Sequence, residues 1–248
     1  MKTASTLLLG DSNLFPVGEF SDFNPNKKKS SNITLLPREA ILCKVKPRRN
    51  PINSLREFVA LHVWERVLSH HTAADDIKIG SPQPIGIDDQ YQIFMNFVAG
   101  VTGDQTLSGA FRPFGMSRLE SRMGRLDFIT RMGKLLRLKE VEGLQHSDFL
   151  LRHVLYDLVP SHSETPKLNV IDVENTSIVD DVAGENARMK SFMRNGFSFP
   201  GDVDRKKVLF ENAFSRGFDA PIDEYSVVRD ILSDIKKELG PIVQDVEL

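Results

Sequence analysis

Two neighbouring stretches decide the fold: Gln145–Asp157, QHSDFLLRHVLYD, and Leu168–Thr176, LNVIDVENT. Val154-Leu155-Tyr156 in the first and Leu168-Asn169-Val170-Ile171 in the second are short apolar runs. Between them lies a polar loop carrying Pro160, Ser161, Ser163 and Pro166. Apolar run, turn-forming loop and apolar run predict a β-hairpin. Pairing of that hairpin brings His146 and Asp148, just before one strand, to the same edge as Asp172, at the end of the other.

Upstream, REAILCKV (Arg38–Val45) reads as a strand closed by Pro47 and Asn50-Pro51. Ser54 and Glu57 have capping-box spacing ahead of Phe58, Val59, Leu61, Val63 and Trp64, which predicts a helix from Ser54 to about Ser69. Ile85-Gly86-Ile87 and Tyr91–Val98 read as two strands turned at Asp88-Asp89-Gln90. Gly100, Gly103, Gly109, Gly115 and Pro113 then interrupt the pattern. Beyond them, Ser117–Leu138 is a helix whose basic residues read as a solvated face or as a contact for an acidic or phosphorylated partner. Val228, Ile231, Leu232, Ile235 and Leu239 recur at helical spacing and stop at Gly240-Pro241. The expected class is α+β: a small β-rich lobe over 1–98, a Gly-rich link over 99–116, and a mainly helical lobe with the hairpin over 117–248.

The chain has 248 residues, 40% hydrophobic and 27% charged, which is enough to bury a sizeable core and argues against disorder throughout. A formal net charge of -2 supplies no chain-wide field for nucleic acid, and no apolar run is long enough for a membrane span. Cys43 is the single cysteine, so neither a disulfide within the chain nor a multi-cysteine zinc site is expected, and a reducing, cytoplasmic location is the simplest expectation. Cys43 itself reads as a small buried hydrophobe. His62, His70, His71 and His162 share no ligand spacing with acids. The Lys27-Lys28-Lys29 run reads as a solvated turn. Oligomeric state is not encoded in any of these patterns.

Two carboxylates at one hairpin edge suit phosphoryl transfer, in which one acid orients a hydroxyl nucleophile and another holds Mg²⁺ against a triphosphate. His146-Ser147-Asp148 resembles the start of the catalytic loop of the protein-kinase-like fold, particularly its aminoglycoside and choline phosphotransferase branch. Asp172-Val173-Glu174 similarly resembles its metal-binding Asp-Phe-Gly or Asp-Phe-Asp/Glu element. The resemblance extends over roughly residues 38 to 175, in chain order. Lys44 resembles the lysine on the α- and β-phosphates, with Lys46 on the same strand face as an alternative. Glu57 resembles its ion-pair partner, and Met95, Asn96 and Phe97 resemble the interlobe backbone that holds adenine.

What the resemblance implies is a bilobal fold and an ATP-dependent phosphotransferase acting on a hydroxyl of a small molecule, sugar or glycolipid. Asp148 would be the catalytic base and Asp172 a Mg²⁺ ligand, with His146 bracing the loop. Two departures stand out. His153 occupies the position of the asparagine that supplies a second metal ligand, which admits Mn²⁺, and GDSNLFPVGEF (Gly10–Phe20) lacks the usual glycine triplet. Both motivate an alternative, a pseudokinase-like module that binds nucleotide or a protein without chemistry. The segment Gly184–Asp204 fits no motif; its Arg188, Lys190 and Arg194 read as a solvated face or as contacts for an anionic acceptor.

Overall fold

The structure, a computed structural model, describes residues 21–22, 32–36, 41–45, 51–72, 77–88, 91–96, 98, 100–109, 116–157 and 167–248, with the backbone alone given up to residue 45 and at Lys167. In chain order the elements are β1 (Ser21–Asp22), β2 (Asn32–Leu36), β3 (Ile41–Val45), α1 (Pro51–Thr72), β4 (Lys78–Gly80), β5 (Pro84–Ile87), β6 (Ile93–Asn96), β7 (Val101–Thr102) and α2 (Gly103–Ser108). There follow α3 (Arg118–Glu142), β8 (Leu144–His146), β9 (Val154–Tyr156), β10 (Lys167–Val170), β11 (Thr176–Ile178), α4 (Ala183–Gly196), α5 (Val203–Phe218) and α6 (Val228–Leu239).

Strands β1-β2-β3-β6-β5 form one antiparallel sheet in that order. The expected hairpin at Asp88 is its β5–β6 edge, with Gln92 N–H donating to the Asp88 carboxylate at 2.7 Å and Tyr91 taking the positive φ of the turn, 60°. The second predicted hairpin is also present: β9 and β10 pair antiparallel, Val154 opposite Val170 and Tyr156 opposite Leu168. Its sheet, β4-β10-β9-β7, draws β4 and β7 from either side of the first sheet's last strands, and β4 joins it in parallel. The two halves of the chain therefore share a sheet.

Helix α1 starts at Pro51, three residues before the expected onset, so Ser54 and Glu57 lie inside it and form no capping box. Proline's fixed φ suits a first helical turn, and Ser54 points inward instead of capping. Phe58 through Leu61, Val63, Trp64, Val67 and Leu68 are all buried, leaving no solvated stripe in the middle of the helix. A helix apolar on every side must be covered on every side. The first sheet, α6 and the segment after Asp172 do this for α1.

The capping box is instead on α3: Ser117 Oγ accepts from Glu120 N–H at 3.1 Å, and Glu120 Oε2 accepts from Ser117 N–H at 2.7 Å. Its C-terminal half corrects the expectation of a solvated basic face, because Arg131, Lys134 and Lys139 are buried. This half crosses α5 where Gly133 and Gly217 face the other helix; a methyl on Gly217 would overlap the Thr130 carbonyl oxygen, so the backbones meet as closely as glycine alone allows.

Candidate active site

The loop between β8 and β9 is built from short backbone closures. Phe149 N–H donates to the His146 carbonyl at 2.9 Å, and His153 N–H donates to that of Leu150 at 2.9 Å. Ile171 N–H then returns to the His153 carbonyl at 2.8 Å, which ties this loop to the residue before Asp172. Asp148 sits in the first of these turns with its side chain in solvent, while Phe149 and His153 on either side are buried. The side chain predicted to meet substrate is thus exposed on a loop whose neighbours are anchored.

Asp172 follows the hairpin in left-handed conformation, φ 59° and ψ 49°. A non-glycine residue there carries a cost that the surroundings must hold. His146 supplies the hold: its buried Nε2 is 2.7 Å from the Asp172 carbonyl oxygen, and because a carbonyl only accepts, Nε2 carries the proton. Burial, the largest influence on this ring, lowers its pKa below the ordinary histidine value, so it stays neutral and in that role. From the other side, Thr176 Oγ1 donates to the Val173 carbonyl at 2.7 Å and accepts from Trp64 Nε1 at 2.9 Å, and Arg56 donates to the Thr176 carbonyl at 3.0 Å. Helix α1 thereby clamps the turn that follows Asp172.

That clamp places Glu57 of α1 against the same turn. One carboxylate oxygen each from Glu57, Asp172 and Glu174 lies within 4.8 Å of the other two, Glu57 buried and Asp172 exposed. Oxygen donors so gathered suit a hard divalent cation. His153, expected to share the metal with Asp172, has its Nε2 3.6 Å from Asp172 Oδ2 but is not a member of the three-acid group. Glu174, the last residue of the Asp172-Val173-Glu174 element, joins Asp172 in this group.

A buried ion pair lies beneath the loop. Lys139 Nζ meets Glu185 Oε1 at 2.5 Å and stands 4.1 Å from the centroid of the Phe149 ring, and Glu185 Oε2 accepts from His146 N–H at 3.2 Å. Desolvation pulls the Lys139 pKa down while the Glu185 carboxylate opposes it. Sequence spacing gave no sign of this pair, whose members stand 46 positions apart.

In the first sheet, Lys44 lies in β3 opposite Ile33 and Ile93, and only its backbone is described. Lys46, Phe97, Lys27–Lys29 and Gly10–Phe20 lie outside the described residues. Met95 is buried in β6. Asn96 is exposed, but its N–H donates to the Gln83 carbonyl at 2.9 Å and its side-chain amide to Gln83 Oε1 at 2.9 Å. That N–H is committed to the protein's own hairpin.

No protein-family model and no curated protein matches the sequence. Solved structures do resemble it. WaaP in complex with acyl carrier protein is 16% identical at a TM-score of 0.41, over 90% of this chain and 84% of that one. The Rio2 kinase from Chaetomium thermophilum, in an ADP, Mg²⁺ and phosphoaspartate complex, is 12% identical at 0.45, over 88% and 68%. The kinase domain of PknI from Mycobacterium tuberculosis is 14% identical at 0.39, over 85% and 90%. The chain's own architecture agrees with the expectation drawn from its motifs: strand with Lys44, helix with Glu57, hairpin, helix α3, loop with Asp148, hairpin, then Asp172. This element order, with a β-rich first part and a mainly helical second, is the α+β arrangement expected from the motifs.

Proposed function

We propose that the chain is an ATP-dependent phosphotransferase whose acceptor is a hydroxyl group of a small molecule, sugar or glycolipid. The observation that carries this reading is the pinning of Asp172 by His146, the residue from which the loop that presents Asp148 to solvent begins. In this reading Asp148 takes the hydroxyl proton, the acceptor oxygen bonds to the γ-phosphorus, and the bond from that phosphorus to the bridging oxygen breaks to release ADP. Lys44 steadies the α- and β-phosphates and Glu57 orients Lys44. Backbone at Met95 and Phe97 meets adenine, with Asn96 supplying no N–H there. The halves 1–98 and 117–248, joined through 99–116, form the two sides of the cleft.

Asp172, with Glu174, Glu57 and His153 near it, would hold Mg²⁺ or Mn²⁺, and such a cation supplies charge neutralisation for the phosphates. Three oxygen donors on two segments fit a divalent ion, with His153 beside Asp172. The branch resembling aminoglycoside and choline phosphotransferases suits a small acceptor. Among the described residues no helix is long and apolar enough to cross a membrane.

Asp148→Ala and Asp172→Ala test the assignment. Asp148 is exposed, so its variant keeps the wild-type Tm while transfer from ATP falls by about a hundredfold or more. Transfer that persists within tenfold in either variant removes the assignment. A second reading, nucleotide or protein binding without chemistry, is favoured by His153 standing where the resemblance expects asparagine. It prevails if ATP raises the Tm with Mg²⁺ or Mn²⁺ yet no acceptor is ever phosphorylated.

A further inference from the structure

We infer that Trp64 and Thr176 are positioning residues for the acid group at Asp172: their hydrogen bond seats the turn carrying Asp172 and Glu174 against Glu57 of α1, and so keeps the three carboxylates assembled for a cation. The inference deepens the cation assignment of the proposed function and rests on it.

The direction of each bond at Thr176 is fixed by chemistry. The indole Nε1 of Trp64 can only donate, so Thr176 Oγ1 accepts from it at 2.9 Å. The hydroxyl's one proton is then left for the Val173 carbonyl, which accepts it at 2.7 Å. One side chain thereby joins the helix to the middle residue of the Asp172-Val173-Glu174 element. The Thr176 carbonyl also accepts from Arg56 Nη2 at 3.0 Å, so α1 reaches this residue from two points along its length. Trp64 and Thr176 are both fully buried, where a hydrogen bond that loses one partner is felt most.

Thr176 stands where two pieces of the site meet. It pairs with His146 across β8 and β11, His146 Nε2 holds the Asp172 carbonyl, and Ser147 N–H donates to the Asn175 carbonyl at 3.2 Å. The turn and β8 are therefore one piece, with the successive carbonyls of Asp172 and Val173 held from β8 and from Thr176. Helix α1 is the other piece, fastened independently where Arg66 meets Glu238 and His71 meets Glu142.

The acid group needs such a join because its members are divided between the pieces. Glu57 and Trp64 are seven positions apart, two helical turns, and so lie on one face of α1. That face meets the turn twice, through Trp64 at Thr176 and through Glu57 at the acid group, where one oxygen from each of Glu57, Asp172 and Glu174 lies within 4.8 Å of the other two. Ionised carboxylates at that spacing repel one another, and burial of Glu57 weakens the screening. A neutral hydrogen bond between the pieces opposes that spreading. Donors already gathered bind an ion without the penalty of ordering them first.

The test is Mn²⁺ binding to the full chain, followed by loss of the free-ion electron paramagnetic signal at a temperature well below the Tm of every variant. A variant that is folded there and merely less stable binds the ion as wild type does, so affinity separates positioning from packing. Thr176→Val keeps the side chain's shape, removes both hydroxyl bonds, and is expected to weaken Mn²⁺ binding about tenfold or more. Thr176→Ser keeps the hydroxyl and is expected to stay within about threefold of wild type. Trp64→Phe is expected to match Thr176→Val, and the double variant to lose no more than either alone. Should Thr176→Val fail to fold, Trp64→Phe set against Thr176→Ser carries the same comparison. If Asp172→Asn abolishes binding while the folded Thr176→Val or Trp64→Phe binds as tightly as wild type, the positioning role is overturned and the cation assignment survives. Losses that add in the double variant overturn the shared link. If wild type binds no Mn²⁺, or Asp172→Asn leaves binding intact, the cation assignment itself fails.

Discussion

His146 Nε2 donates to the Asp172 carbonyl oxygen at 2.7 Å and so couples the last residue of β8 to the left-handed residue after the hairpin. Removing that donor while keeping the ring's bulk isolates its effect. His146→Phe is expected to destabilise the fold by about 1–2 kcal/mol in urea unfolding, the cost of an unmet buried acceptor. Turnover should fall further, by roughly ten- to a hundredfold at saturating ATP, because Asp172 loses its bearing. Stability loss with unchanged turnover would make His146 a packing residue alone.

The Lys139–Glu185 pair predicts strong coupling. Both side chains are buried, so Lys139→Met strands the Glu185 carboxylate and should cost about 3–5 kcal/mol. Lys139→Met with Glu185→Gln removes both charges, and should recover a kilocalorie or more of that loss, on the order of the coupling measured for neighbouring residues. A double-mutant cycle by chemical denaturation checks this. Additive losses would mean that the two side chains act independently.

Acid should loosen α1 through His62. Burial lowers this imidazole from 6.5 to about 4, with Arg66 adding to the effect and Glu238 opposing it. The unfolded chain therefore takes up a proton that the folded one refuses: stability is full above pH 6.5 and declines until about pH 4. Between pH 7 and pH 5 the contribution is about 2 kcal/mol. Wild type and His62→Gln should differ by that amount in the pH dependence of unfolding free energy; parallel curves would acquit His62.

Much of this site could be read before the fold. The β9–β10 hairpin announced itself because apolar runs flank a loop of Pro and Ser, and pairing of those runs alone juxtaposes the segments of Asp148 and Asp172. The start of α1 misled because Ser54 and Glu57 mimic a capping box by spacing, while the energetics are set by burial of nearly every side of the helix. Strand β4 was silent: Lys78-Ile79-Gly80 has no period of its own and exists by pairing with β10. Lys139 was silent for a different reason. One lysine among the bases of α3 looks solvated, and only a glutamate 46 positions away makes it a core residue.

Helix α1 is fastened to the helical body at several points along its length. Arg56 and Trp64 hold Thr176, Arg66 Nη1 holds Glu238 at 2.9 Å, and His71 meets Glu142 at 2.5 Å. Glu57 consequently travels with Asp172 and not with β3. Any turn of α1 about its own axis would have to break these anchors together, so the acid group at Asp172 is kept or lost as one unit.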